Sequence, residues 1–286
     1  MNSKHLLLDG ATGTELNRRG VDTGLPMWSA NALTSDTGLN VLRQIHLDYL
    51  KAGADILTTN TFRTHRRALA GKGDIARELT IRAVATAQEA VVEHGQPAQV
   101  AGSLAPLEDC YRPDLVPSED ECRAEHSERV QHLVDAGVDL LLIETMNSIR
   151  EAVIAAKLAT ITGRPTWVSF VCDRDGRILS GELLTVAAEL LLPLGVKALG
   201  VNCAPAHTLA KPLAKLRGIC GPDFPLIAYG NIGYADQSQG WINTDAVNPD
   251  SYWQYAQTWP AQIVGGCCGT TPEHIRQLRA KRTPAT

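Results

Sequence analysis

The 286-residue sequence predicts a (β/α)8 barrel, the TIM-barrel architecture, formed as a single domain over residues 1–286. Three observations predict it. Short apolar runs alternate with longer stretches of helical periodicity along the whole chain, and eight such pairs are what a closed barrel requires. The apolar runs are continuous rather than alternating, as in a parallel sheet covered on both faces. No G-x-G-x-x-G opens a helix, which counts against the doubly wound open sheet.

Each element can be placed in order. The first strand is LLLDG (6–10), followed by an irregular stretch over 20–40. VLRQIHLDYLKAG (41–53) reads as a helix, because Val41, Ile45, Leu47 and Leu50 can share a buried side. The second strand is ADILTTNTF (54–62), with a helix over 74–93. QVAGSLA (99–105) is the third, followed by an irregular stretch over 106–118 and a helix over 121–137. VDLLLIETM (138–146) and PTWVSFVC (165–172) are the fourth and fifth, with helices over 148–163 and 185–194. VKALGVNCA (196–204) precedes a helix over 207–218. PLIAYGNIG (225–233) precedes an irregular stretch over 233–248 and a helix over 249–257. QIVGGCCGT (262–270) ends the sheet, and a helix over 272–281 closes the chain. Gly53, Gly137, Gly163 and Gly195 mark helix ends as left-handed caps. The three irregular stretches all follow strands, so in a barrel they lie over the C-terminal mouth, where active sites are built.

Composition narrows the function. The net charge is −4 and there is no long Lys/Arg run, which argues against nucleic acid as a partner. His65-Arg66-Arg67, the longest basic cluster, is expected at an exposed helix start. MNSKHLLLDG offers too few apolar residues for a signal peptide or a membrane span. The expected location is the cytoplasm, where the seven cysteines stay reduced. The expected state is a monomer or small homo-oligomer.

The cysteines carry the chemistry. Cys267 and Cys268 end the eighth strand and Cys203 ends the sixth, so all three meet at one mouth. A disulfide between neighbours would close a strained ring, and a redox pair usually keeps two residues between its thiols. Three converging thiolates instead suit zinc, with a fourth position left open. Neighbouring side chains on a strand diverge; Gly265, Gly266 and Gly269 are expected to supply the bend. Such a site is better at holding a thiol as thiolate than at making hydroxide. Cys110, Cys122, Cys172 and Cys220 read as ordinary core or surface thiols. Two other classes stay open: a non-catalytic zinc or thiol-binding barrel, and a metal-free barrel enzyme for which GGCCGTT imitates a phosphate loop.

DGATGTEL (9–16), GVNC (200–203) and GGCCGTTP (265–272) together resemble the homocysteine S-methyltransferase family, from Leu6 to about Arg279. The resemblance implies a zinc-bearing barrel that transfers a methyl group to homocysteine and forms methionine. It implies Cys203, Cys267 and Cys268 as zinc ligands, with Asn231 able to take the fourth position before substrate arrives. Glu144 and Asp9 would receive the homocysteine ammonium, and the amides around Gly13 and Thr14 its carboxylate. The DGATGTE segment also reads as a capping turn, with Thr12 or Thr14 as the cap. Asn60 and Ser103 are expected to line the mouth. Trp28 and Trp241 are candidates to hold a cationic donor by cation–π contact, whereas Trp167, Trp253 and Trp259 read as packing. Thr145 after Glu144 counts against betaine, and MWSA resembles the S-methylmethionine branch, so a small methylsulfonium is the expected donor. TTNTF resembles the methionine synthase module, which keeps a corrinoid partner as the alternative.

Overall fold

The computed structural model describes residues 5–236 and 238–282. Its strands follow the apolar runs: Leu6–Leu7 (β1), Ile56–Thr58 (β2), Gln99–Leu104 (β3), Leu140–Met146 (β4), Thr166–Phe170 (β5), Ala198–Pro205 (β6) and Leu226–Asn231 (β7). Gly233–Asp236 (β8) and Gly240–Asn243 (β9) form a separate antiparallel pair, and Ile263–Gly266 (β10) returns to the main sheet. The main sheet is all parallel, in the order β1-β10-β7-β6-β5-β4-β3-β2. It closes where Leu8 bridges Ile56, with the Asp9 amide donating to Ile56 O at 3.0 Å and the Asp55 amide to Leu7 O at 2.8 Å.

Helices cover the outer face: Thr12–Arg18 (α1), Asp36–Ala52 (α2), Gly73–His94 (α3), Glu119–Asp135 (α4), Ile149–Thr160 (α5), Leu184–Leu191 (α6), Ala210–Cys220 (α7), Pro249–Ala256 (α8) and Pro272–Arg282 (α9). Several starts are set by the local sequence. Ser35 and Ser148 accept N-terminal amides of α2 and α5, and Ser118 with Glu121 forms a full capping box on α4. The expected glycine stops are confirmed: φ is +102° at Gly53, +85° at Gly137, +78° at Gly163 and +80° at Gly195. The barrel interior is filled by Leu8, Ile56, Leu142, Trp167, Ile227 and Ile263, among others, so the tube is a packed core below its mouth. A second, larger core lies between strands and helices.

Four expectations need correction. The stretch 233–248 is not irregular, because the β8–β9 hairpin occupies most of it. The stretch 20–40 contains a 3-10 helix, Trp28–Thr34, and the first turn of α2. His65-Arg66-Arg67 is not an exposed helix start. His65 is buried, Arg66 pairs with Glu128, and Arg67 pairs with Glu108, Glu121 and Glu125, which join the loop after β2 to the acidic face of α4. Neither Thr12 nor Thr14 caps α1. Ala11 occupies the cap position without a side-chain bond, and Thr14 Oγ1 instead accepts the Gly269 amide at 3.1 Å.

Candidate metal centre and active site

The C-terminal mouth opens into a cavity of about 340 Å³. Cys203 leaves β6, Cys267 and Cys268 follow β10, and their three sulfur atoms lie within 4.8 Å of one another. Cys203 Sγ and Cys268 Sγ are 3.7 Å apart. Tetrahedral zinc with Zn–S bonds of about 2.3 Å places its sulfurs about 3.8 Å apart, so the donor set fits the ion in both chemistry and spacing.

Two backbone devices bring the sulfurs together. Cys203 adopts φ +56°, a left-handed conformation rare for a side-chain-bearing residue, where β6 breaks register with β7 between Asn202 and Pro205. Cys267 and Cys268 sit in a tight turn in which the Thr270 amide donates to Cys267 O at 3.0 Å. Of the three glycines expected to bend this segment, only Gly269 has positive φ, at +84°. Gly265 and Gly266 remain in regular strand. Their role is close approach: a Cβ on Gly265 would meet Leu8 and the Asp9 carbonyl, and one on Gly266 would collide with the Thr270 side chain.

The sulfurs share protons. Hydrogen bonds from Cys267 and then Cys268 hold the Cys203 thiol well below its ordinary pKa, with further help from Tyr111 and Asn231. The Cys267 and Cys268 thiols are pushed up, first by donating to Cys203. Asn231 ends β7, and its Oδ1 accepts the Cys268 amide at 3.0 Å, so its carbonyl oxygen already steadies the cysteine turn.

Asp9 and Glu144 line the same cavity. Glu144 lies within β4, where it accepts hydrogen bonds from the Ser103 hydroxyl and from Tyr229 Oη, the latter at 3.2 Å. Burial raises its pKa to about 7 against the lowering effect of the Ser103 bond. Asp9 accepts the Thr58 amide at 2.8 Å, and burial raises its pKa to about 8, with the Glu144 charge adding to the rise. Two buried carboxylates that repel one another, with no salt-bridge partner among the described residues, form a receptor for a cation, although buried Arg129 partly offsets the charge of Glu144.

The remaining expected residues are also at the mouth. Gly13, Thr14, Trp28, Asn60 and Ser103 line the cavity. Asn60 Nδ2 donates to Ser29 O at 2.8 Å, which ties β2 to the segment that carries Trp28. Trp28 packs edge-on against Phe62 at 5.5 Å, and Gly13 lies so close to the Trp28 indole that any Cβ would strike it. Trp241 is not at the cavity; it sits half exposed on β9, its Nε1 donating to Asn243.

Sequence reasoning missed several members. Tyr229 stands two residues before Asn231, and strand alternation placed it on the same face, so that signal was available. Tyr111, whose hydroxyl lies 3.1 Å from Cys203 Sγ, and Cys110, a buried thiol that lines the cavity, sit on the loop after β3. No periodicity marks them. Thr145 has φ +60° and is held by Asn202.

Three sulfurs with metal spacing at the mouth of a parallel barrel, facing paired carboxylates, define a class: barrel enzymes that use a soft metal to present a thiol. The comparisons place the chain within that class. A family model described as Homocysteine S-methyltransferase matches residues 6–282, and the chain belongs to this family. It is 35% identical over 297 residues to the Homocysteine S-methyltransferase of Escherichia coli, covering 96% of this chain and 94% of the relative. It is 32% identical over 303 residues to Homocysteine S-methyltransferase YbgG of Bacillus subtilis, covering 96% and 93%. Its structure is similar to the metallated form of the homocysteine methyltransferase MmuM from Escherichia coli, with a TM-score of 0.82 at 31% identity and 96% coverage of both chains.

Proposed function

We propose that this enzyme transfers a methyl group from a small methylsulfonium, with S-methylmethionine preferred, to the thiol of homocysteine. The carrying observation is the three-sulfur cluster in a cavity whose wall also holds Asp9 and Glu144. In this reading Cys203, Cys267 and Cys268 hold zinc, which when bound lets a substrate thiol ionise at neutral pH. Glu144 and Asp9 receive the homocysteine ammonium. The amides of Gly13 and Thr14, in the first turn of α1 where helical amides lack partners, receive its carboxylate. Ser103 and Tyr229 orient Glu144, Asn60 anchors the Trp28 segment, and Asn231 steadies the cysteine turn.

The acceptor is thus held at two ends with its sulfur at the cysteine cluster, and this orientation supplies much of the acceleration. The thiol proton leaves to solvent. The sulfur pair attacks the methyl carbon, a new S–CH3 bond forms, and the old C–S bond breaks with its pair returning to the donor sulfur. The donor departs as a neutral thioether. Trp28 and Phe62, which both line the cavity, are the aromatic side chains suited to attract a cationic donor before transfer and to hold its neutral product weakly afterwards.

The test pairs zinc analysis of anaerobically purified protein with a methionine assay. Homocysteine is supplied with S-methylmethionine, betaine or dimethylsulfoniopropionate in separate reactions. We expect one zinc per chain, its loss in Cys268→Ala, and methionine from a sulfonium donor. Absence of both zinc and turnover would overturn the reading; zinc with turnover from betaine alone would overturn the donor.

A further inference from the structure

Arg63 is the only cationic side chain lining the cavity among the described residues. Its neighbours in sequence are neutralised: Arg66 by Glu128 and Arg67 by three glutamates. Arg63 has neither a carboxylate partner nor a hydrogen bond in the described structure. Its guanidinium carbon lies 5.9 Å from the Phe62 ring centroid. The residue is half-buried, so part of its charge is withdrawn from water without compensation. A planar guanidinium in that position is a receptor for a planar anion.

We infer that Arg63 is a specificity-determining residue of the donor subsite, binding the carboxylate that the methyl donor carries beside its onium centre. This rests on the methyl-transfer reading. The position of Arg63 selects the donor over the acceptor. The acceptor is assigned to the cysteines, to Asp9 and Glu144, and to the first turn of α1. Arg63 instead stacks on Phe62, and Phe62 packs on Trp28, the aromatic pair suited to an onium. An anion receptor beside an onium receptor matches one molecule whose two charges are a few carbons apart. The carboxylate bond is made equally in the ground state and in the transition state, so Arg63 governs donor selection rather than the chemical step.

The test compares the zinc-loaded wild type with Arg63→Met, which keeps an unbranched stem over Phe62, and with Arg63→Lys. The donors are dimethylsulfoniopropionate, S-methylmethionine and trimethylsulfonium, the last carrying no carboxylate. In the wild type the carboxylated donors should exceed trimethylsulfonium in kcat/KM by about 100-fold, the scale of a charged hydrogen-bonded pair. Arg63→Met should collapse that ratio to near one, chiefly through donor KM, with homocysteine KM unmoved, and Arg63→Lys should restore part of it. An unchanged ratio, or a rise in homocysteine KM with no change in donor KM, would overturn the inference while leaving methyl transfer standing. Calorimetric titration of methionine-saturated protein with dimethylsulfoniopropionate separates the two readings. If no donor turns over, methyl transfer falls, while weakened binding in Arg63→Met would still support the carboxylate receptor. Equal binding in the two proteins, or none in either, would overturn it.

Discussion

Asn202 grips Thr145 twice: its Oδ1 accepts the Thr145 amide at 2.9 Å, and its Nδ2 donates to Thr145 Oγ1 at 2.8 Å. Thr145 and Cys203 both have left-handed backbone, at φ +60° and +56°. One follows the proposed ammonium receptor Glu144, and the other is the first sulfur of the cluster. Ser169 completes the link: its Oγ lies 2.8 Å from Asn202 Oδ1 and 2.7 Å from Tyr229 Oη, and Tyr229 Oη lies 3.2 Å from Glu144 Oε2. A chain of buried polar groups therefore runs across β4, β5, β6 and β7 and fixes the carboxylate relative to the sulfur.

Asn202→Leu tests that chain. The change keeps the branched side-chain shape at a larger volume and removes three buried hydrogen bonds, and with unpaired partners left behind the loss should be about 3 kcal/mol in stability. The strain at Thr145 and Cys203, on the order of 1–3 kcal/mol each, is then no longer opposed. Denaturant unfolding should register the first effect. A zinc-chelator competition should show weaker metal binding even at temperatures where the variant stays folded. Unaltered zinc affinity would show that the strained backbone does not depend on Asn202.

Homocysteine binding should depend on pH through Glu144. Burial raises its pKa to about 7, and it must be ionised to receive an ammonium. Below pH 7 the carboxyl is increasingly neutral. KM for homocysteine should then rise towards tenfold per pH unit as pH falls, and should level off only above pH 8, where Asp9, raised to about 8, is ionised as well. Glu144→Gln should raise KM by about 100-fold and flatten this dependence. A steep profile that persists in Glu144→Gln would assign the titration to another group.

His46 makes a prediction about stability alone. It is buried in α2 with no hydrogen-bond partner on either ring nitrogen, and burial lowers its pKa from 6.5 to about 4. The unfolded chain takes up this proton near pH 6.5, while the folded chain resists until about pH 4. Stability is therefore lost as pH falls through that window, by about 3 kcal/mol at its lower end, and the term vanishes above it. His46→Leu should remove this component. Its advantage over the wild type should grow between pH 6.5 and 4 in urea titrations, and a constant difference would refute the assignment.

The sequence makes some of this architecture readable and hides the rest for physical reasons. Runs such as VDLLLIETM mark strands because a parallel sheet buries both faces, and the glycine stops mark helix ends because only glycine takes left-handed φ without cost. The meeting of Cys203 with Cys267 and Cys268 follows from counting strands, since every odd and even strand ends at the same mouth. The hairpin at 233–243 is hidden because four-residue strands with mostly exposed side chains carry no apolar period. The left-handed residue at Thr145 is hidden because the side chain that holds it, Asn202, lies 57 residues away. Tyr111 and Arg63 are hidden because loop residues acquire neighbours only when the barrel closes.

Gly266 ties the fold to the metal site most directly. It lies in regular β10 without left-handed φ, so a substitution there meets no backbone strain, only lack of space. The obstacle is the Thr270 side chain. Thr270 Oγ1 accepts the Ala11 amide at 3.2 Å and donates to Cys267 O at 2.8 Å, so the same hydroxyl holds both the start of α1 and the cysteine turn. Gly266→Ala must push Thr270 aside and loosen both. Overpacking of this kind costs about 1–3 kcal/mol, but the larger consequence should be local. Displacing the Cys267 carbonyl moves the sulfurs off metal spacing, and zinc affinity should fall more than tenfold, a change of about 1.4 kcal/mol. Gly218→Ala is the control. It lies in α7 with open space where the Cβ would be, so it should gain up to about 1 kcal/mol from helix propensity and leave zinc binding unchanged. Chelator competition and thermal unfolding on the two variants separate the effects. If Gly266→Ala lost stability but kept wild-type zinc affinity, Thr270 would be a packing residue of the barrel rim and not a support of the metal turn.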